Sequence, residues 1–162
     1  MQQKLVQLGP GAHALAMQIL GNRDDAADAV HDSLAKVLAN PDAWDAGRGA
    51  LKPWFLRVVR NRCLDLLRRR RAPGESVDAL IDGGPGPEAA ASAAEQHTAV
   101  RRALAALTED QREIIVLRDY LDLSYADIAS VLDIAKGTVM SRLHRARLAL
   151  KEEFESHAEQ DT

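Results

Sequence analysis

The sequence predicts an all-α fold of two small helical domains joined by a flexible linker, and two observations carry that prediction. Apolar residues recur at helical spacing along almost the whole chain, while runs of alternating β-branched residues are missing. One stretch breaks the pattern. APGESVDALIDGGPGPEAA, Ala72 to Ala90, is rich in Gly and Pro and carries only negative charge, a composition that cannot bury a core. The division is therefore 1–71, a linker at 72–98, and 99–162, with a small core expected in each half.

The predicted helices run over 11–20, 24–39, 51–71, 91–106, 109–121, 125–132 and 136–156. The first and fourth rest on apolar spacing alone. In the second, Asp25, Asp28 and Asp32 share one face of a helical wheel, and Val30, Leu34 and Val37 lie on the other. The third places Trp54, Arg57, Asn61, Asp65 and Arg68 together, away from Phe55, Val59, Cys63 and Leu66. The fifth and sixth have signed starts: Thr108 with Gln111, and Ser124 with Asp127, each set a hydroxyl cap three residues before an acceptor. In the seventh, Val139, Leu143, Ala146 and Leu150 form the buried stripe. Met140, Ser141, His144 and Arg145 then point outward, with Arg142 and Arg147 on the flanks.

Charge adds a second line of argument. The formal net charge is −3 and the pI about 5.9, so the chain as a whole is not drawn to a polyanion. Yet positive charge gathers in two blocks, Arg57 to Arg71 and Lys136 to Lys151, and no Lys or Arg lies between Arg71 and Arg101. The cations are local, as contacts to a nucleic-acid backbone would be.

Several classes are excluded at this stage. The single cysteine, Cys63, allows no internal disulfide and no cysteine-rich zinc site, which fits a reducing cytoplasm; it is read as a packed small hydrophobe. The five histidines lack ligand spacing, so no metal and no cofactor are expected. No basic leader with an apolar core and no apolar run near the roughly 20 residues of a membrane span are present, which predicts a cytoplasmic protein without membrane insertion. Nothing supplies a nucleophile, metal set or substrate pocket to accompany the acidic stripe, so no catalysis is expected.

The segment 125–132, then DIA, then a helix from Lys136 has the length and pattern of a helix-turn-helix. A helix docked in a major groove needs base-reading side chains in the middle and cations at the sides, and Gly137 and Thr138 let backbone N–H groups approach a phosphate. The segment LSYADIASVLDIAKGTVMSRLHRARLAL, after ALAALTEDQREIIVLRDYLD, resembles domain 4 of the extracytoplasmic-function group of the sigma-70 superfamily. In that family this helix reads the minus-35 promoter element, which assigns Lys136, Thr138, Met140, Ser141, Arg142, His144, Arg145 and Arg147 to it. The chain departs from the family in having Met140 where a basic residue is usual and Ala135 where a Ser cap is frequent.

GNRDDAADAVHDSLAKVL resembles the acidic helix of sigma domain 2 that docks on the polymerase β′ clamp helices. The resemblance implies that Asp25, Asp28, His31 and Asp32 bind polymerase, the β flap being the second point of contact. Ala27 stands where Glu is usual, and His31 where Gln is common. LKPWFLRVVRNRCLDLLRRRR and the preceding NPDAWDAGRGA are similar to the element that captures and melts the minus-10 sequence, which implies Trp54, Arg57, Arg60, Asn61 and Arg62 as its contacts. Aromatic residues among Arg and Asn also suit splayed single-stranded bases, stacking being worth about 1–3 kcal/mol per base; packing of Trp54 under the loop is the other reading of that residue. The implied partners are core RNA polymerase, promoter DNA and an anti-sigma factor. A stand-alone helix-turn-helix regulator is the alternative function, and it leaves the acidic stripe and the Trp54 helix without purpose.

Overall fold

The computed structural model describes residues 1–70 and 91–160, with the side chains of 91–97 excepted. Among the described residues there is no strand. Helices α1 (Gln2–Leu20), α2 (Arg23–Ala39) and α3 (Leu51–Arg70) build the N-terminal half. Helices α4 (Ala91–Ala106), α5 (Glu109–Ile115), α6 (Tyr125–Leu132) and α7 (Lys136–Gln160) build the C-terminal half. Two 3-10 turns, Pro41–Ala43 and Ala46–Arg48, fill the α2–α3 loop, and a π turn, Val116–Tyr120, continues α5. Most of the segment predicted as linker lies outside the described residues. Its end does not: α4 begins at Ala91, so residues 91–98 are helical.

Two helices differ from their predicted extent for identifiable reasons. Helix α1 starts at Gln2 and runs through Pro10, which removes one backbone donor. Leu5 is fully buried with Ala12, Leu15 and Ala16, and that burial carries the helix past the break. Helix α5 widens into the π turn, where the Leu121 N–H donates to the Val116 carbonyl at 2.9 Å. The change of phase allows Ile114, Ile115, Val116, Leu117 and Leu121 all to be buried.

The caps form as the sequence requires. Thr108 and Gln111 make a full capping box, with reciprocal bonds of 3.2 Å. Ser124 Oγ accepts from the Asp127 N–H at 3.1 Å. Between α6 and α7 the chain turns at Asp133, in the left-handed region at φ 56°, where Asp is among the tolerated residues. Helix α7 has only Ala135 before it, whose carbonyl accepts from Thr138 and Val139 but whose side chain caps nothing. Ala135→Ser should therefore raise the unfolding free energy by about 1 kcal/mol, read as a higher denaturant midpoint at unchanged slope.

The expectation of a separate core in each half is corrected. Buried residues from α1, α2 and α3 and from α5, α6 and α7 form one contiguous cluster, with α1 against α5 and the π turn and α3 against α6. The cause lies in α3, which has two buried faces. Leu51, Phe55, Val59 and Cys63 recur at i+4 along one and are buried. Lys52, Leu56 and Arg60 recur at i+4 along another, and this face meets the C-terminal half: Lys52 Nζ donates to the Leu121 carbonyl at 2.6 Å, and Arg60 Nε to Glu113 Oε1 at 2.5 Å. Gly11 of α1 completes the seam, since a Cβ there would stand 3.0 Å from Leu121 Cδ2.

Candidate nucleic-acid interface

Helix α7 divides its side chains as the wheel requires. Val139, Leu143 and Ala146 are buried, packed on α5 and α6, whereas Met140, Ser141, Arg142, His144, Arg145 and Arg147 are exposed. Leu150, predicted in the buried stripe, is half-buried. Lys136 is exposed at the first position and Thr138 half-buried one turn in. Within the exposed face Ser141 Oγ donates to the Thr138 carbonyl at 3.1 Å, and Arg145 Nε to the Ser141 carbonyl at 3.4 Å. Arg142 and Arg145 also border a shallow cavity of about 230 Å³ shared with Asp110 and Gln111.

Arg147 has a different environment. Its guanidinium forms a two-point pair with Asp119, Nη2 to Oδ1 at 2.5 Å and Nε to Oδ2 at 3.3 Å, and that hydrogen bond raises the Arg147 pKa. It ties α7 to the π turn. Just beside it, Arg118 lies over the Tyr125 ring at 4.8 Å and donates to the Leu123 carbonyl, fixing the entry to α6. The helix-turn-helix is thus braced against the π turn and the start of α6.

In the N-terminal half, α2, the first 3-10 turn and α3 enclose a cleft of about 530 Å³, whose lining includes Asp32, Lys36, Asn40, Trp54, Asn61 and Arg62. Trp54 is half-buried: it packs on the core and also lines the cleft. It also borders a second cavity of about 470 Å³, together with Trp44, Arg57 and residues of α6. Arg57 and Asn61 are exposed. Arg62 and Arg60 are not free cations. Arg62 pairs with Asp32 at 3.0 Å and Arg60 with Glu113.

The acidic face of α2 is partly neutralised in the same way. Asp25 pairs with Arg70 at 2.6 Å, each side chain 29% exposed, and Asp32 with Arg62. Asp28 and His31 stand exposed. The stripe predicted from the wheel therefore exists, but two of its three carboxylates share their charge with α3.

Cys63 is fully buried, and burial, with the Glu113 charge nearby, pushes its thiol up to about 12. The folded chain should leave Cys63 unreactive toward a thiol reagent at pH 8 over a time in which the denatured chain reacts completely. Among the described residues no group of three or more His, Cys, Asp or Glu is placed to hold a metal ion, and no helix is long and apolar enough to cross a membrane.

Sequence reasoning missed Glu113, Lys52, Asp119 and Arg70, because their partners lie far along the chain. One signal was present for Glu113. It lies at i−4 and i−8 from Leu117 and Leu121, so a charge interrupts an apolar stripe, and a carboxylate in such a place is buried with a partner.

Comparison with known proteins covers both halves. Residues 5–72 match the family model described as Sigma-70 region 2, and residues 97–150 that described as Sigma-70, region 4. The ECF RNA polymerase sigma factor EcfG of Rhodopseudomonas palustris is 33% identical over 141 residues, spanning 87% of this chain and 77% of its own. SigM of Mycobacterium tuberculosis is 38% identical over 144 residues, 85% of this chain and 68% of its own. Among solved structures, the sigma factor RpoE of Bartonella quintana, in complex with the anti-sigma factor NepR, superposes with a TM-score of 0.76 at 30% identity over 94% of this chain and 95% of that one. CnrH, in complex with the cytosolic domain of CnrY, has a TM-score of 0.69 at 24% identity over 95% and 86%, a likeness of fold.

Proposed function

This chain belongs to the extracytoplasmic-function group of the sigma-70 family, and on that premise we propose how its surfaces divide the work of a promoter-specificity subunit of RNA polymerase. Residues 1–71 hold the polymerase clamp and the minus-10 element, residues 99–162 hold the minus-35 element and the β flap, and 72–98 connect them. The exposed face of α7 reads the minus-35 duplex through Met140, Ser141, His144 and Arg145, with Lys136, Thr138, Arg142 and Arg147 at the backbone. The observation that carries this assignment is the clean division of α7, with Val139, Leu143 and Ala146 buried and the four reading positions in solvent.

The cleft beside α3 takes an unstacked base of the minus-10 strand. Trp54 offers an aromatic ring and Asn61 an amide along its lining, a combination that suits single-stranded bases, with Arg57, Arg60 and Arg62 for the phosphates. Asp25, Asp28, His31 and Asp32 present α2 to the clamp helices. Sigma factors are initiation factors and not enzymes; this one acts in the cytoplasm, catalyses nothing itself, and has an anti-sigma factor as a further partner. The test is a pull-down with core polymerase followed by run-off transcription. Retention on core and initiation from promoters bearing both elements is the expected result. Sequence-selective duplex binding without core, and none of the initiation, would refute the reading in favour of a stand-alone regulator.

A further inference from the structure

Arg60 stands on the minus-10 helix but does not face solvent. Its side chain is 18% exposed and that of its partner Glu113 9% exposed, and the pair joins α3 to α5 across 53 residues of sequence. Each belongs to a stripe of three at i+4: Lys52, Leu56 and Arg60 on α3, and Glu113 of α5, Leu117 of the π turn and Leu121 just after it. The stripes run antiparallel. Arg60 meets Glu113 at one end, Lys52 meets the Leu121 carbonyl at the other, and Leu56 and Leu117 are buried between. Burial raises the Glu113 carboxyl pKa while Arg60 opposes the rise, so the carboxylate is tolerated in the seam because the guanidinium is there.

A guanidinium enclosed in this way cannot also meet a DNA phosphate or base. The cavity of about 470 Å³ at the first turns of α3 makes the same point on a larger scale, because Trp54 and Arg57 share its walls with Ala126, Asp127 and Ser130 of α6. The seam thus runs along the minus-10 face and leaves the reading face of α7 outside it. We propose that Glu113 is an intramolecular competitor of promoter DNA for Arg60: its carboxylate latches the two halves of the free chain in a closed form whose minus-10 face lacks a cation, and the halves must part before that face is complete. The inference rests on the assignment of Arg60 to the minus-10 contacts.

The experiment uses the full chain with dyes on cysteines placed at exposed Arg23 of α2 and Glu152 of α7, Cys63 being buried. The binding probe is a single-stranded oligonucleotide carrying the minus-10 non-template strand of a promoter active in run-off transcription. Glu113→Ala should lower energy transfer between the dyes and tighten oligonucleotide binding about tenfold, the gain when a competent state populated about one-tenth of the time becomes dominant. Glu113→Gln keeps the shape of the side chain and should shift both readouts in the same direction, by less. Exchange of the two charges, Arg60→Glu with Glu113→Arg, should restore the transfer that either single change lowers.

Unchanged transfer in a natively helical Glu113→Ala chain would overturn the latch, and lowered transfer without tighter oligonucleotide binding would overturn the competition. Arg60→Ala in the holoenzyme separates these results from a failure of the premise. Undiminished promoter opening there would remove Arg60 from the DNA face and the competition with it, whereas unchanged transfer alone leaves the DNA assignment standing.

Discussion

Replacing Asp28 and Asp32 together by Lys is expected to weaken binding to core RNA polymerase by roughly a hundredfold, about 3 kcal/mol, with helix content unchanged. The two residues are one turn apart on the exposed side of α2, while Ala26, Ala29, Val30, Ser33 and Val37 hold the helix on its other side. Their loss therefore leaves the packing of α2 in place. Asp32 does have an intramolecular partner, Arg62, but at 54% exposure of its side chain that pair is worth no more than about 1 kcal/mol to the fold. Its arrangement suits a surface that must exchange partners, since the carboxylate can leave Arg62 for a cation of the clamp at little cost. Arg62→Gln serves as the control. It frees Asp32 without removing a negative charge, so core affinity should hold or rise while that of the double Lys variant falls. A titration of core with labelled chain decides the matter; equal affinities for the parent and a folded double variant would rule out this face of α2.

The local features of this chain were legible in its sequence, and the long-range ones were not. Helical spacing, hydroxyl caps and the wheel of α7 depend on residues three or four apart, and they located most helices, the Thr108 and Ser124 caps and the outward face at Met140, Ser141, His144 and Arg145. The start of α1 was missed because Pro10 is a strong local signal, whereas the reward for crossing it, burial of Leu5, exists only in the folded core. The packing of the two halves was missed for a similar reason. Lys52 and Arg60 read as members of a basic helix, and only the approach of Leu121 and Glu113 shows that they belong to a seam. A charge on an apolar stripe, as at Glu113, was the one trace of that contact in the sequence. The same limit applies to the cations of α3: the sequence marks the helix as basic but could not show that Arg60, Arg62 and Arg70 each have a carboxylate already.

That distinction between free and engaged cations sets the second large prediction, which concerns the minus-35 face. Arg145→Ala should lower transcription from the preferred minus-35 sequence roughly thirtyfold, about 2 kcal/mol, and flatten the preference at one or two positions while leaving the others unchanged. Arg145 is exposed in the middle of α7, and its contact in the free chain is a 3.4 Å bond to the Ser141 carbonyl, which costs little to give up. Ser141 lies one turn before it on the same face, so the pair can address neighbouring base edges, and Ser141→Ala should flatten preference at an adjacent position by about 1 kcal/mol. Arg147 supplies the contrast. It is held by Asp119 and would have to abandon a two-point pair to reach a base, so its contribution is to fix α7 on the π turn and to add positive potential at the flank. Arg147→Gln should weaken all minus-35 variants alike, and Asp119→Asn, which loosens the brace while leaving the cation, should reproduce part of that uniform loss. Each comparison is made at one fixed salt concentration, because the backbone term alone changes affinity steeply with salt. If Arg145→Ala depresses every minus-35 variant by the same factor, the side chain is a phosphate contact, and the base-reading assignment passes to its neighbours Met140 and His144.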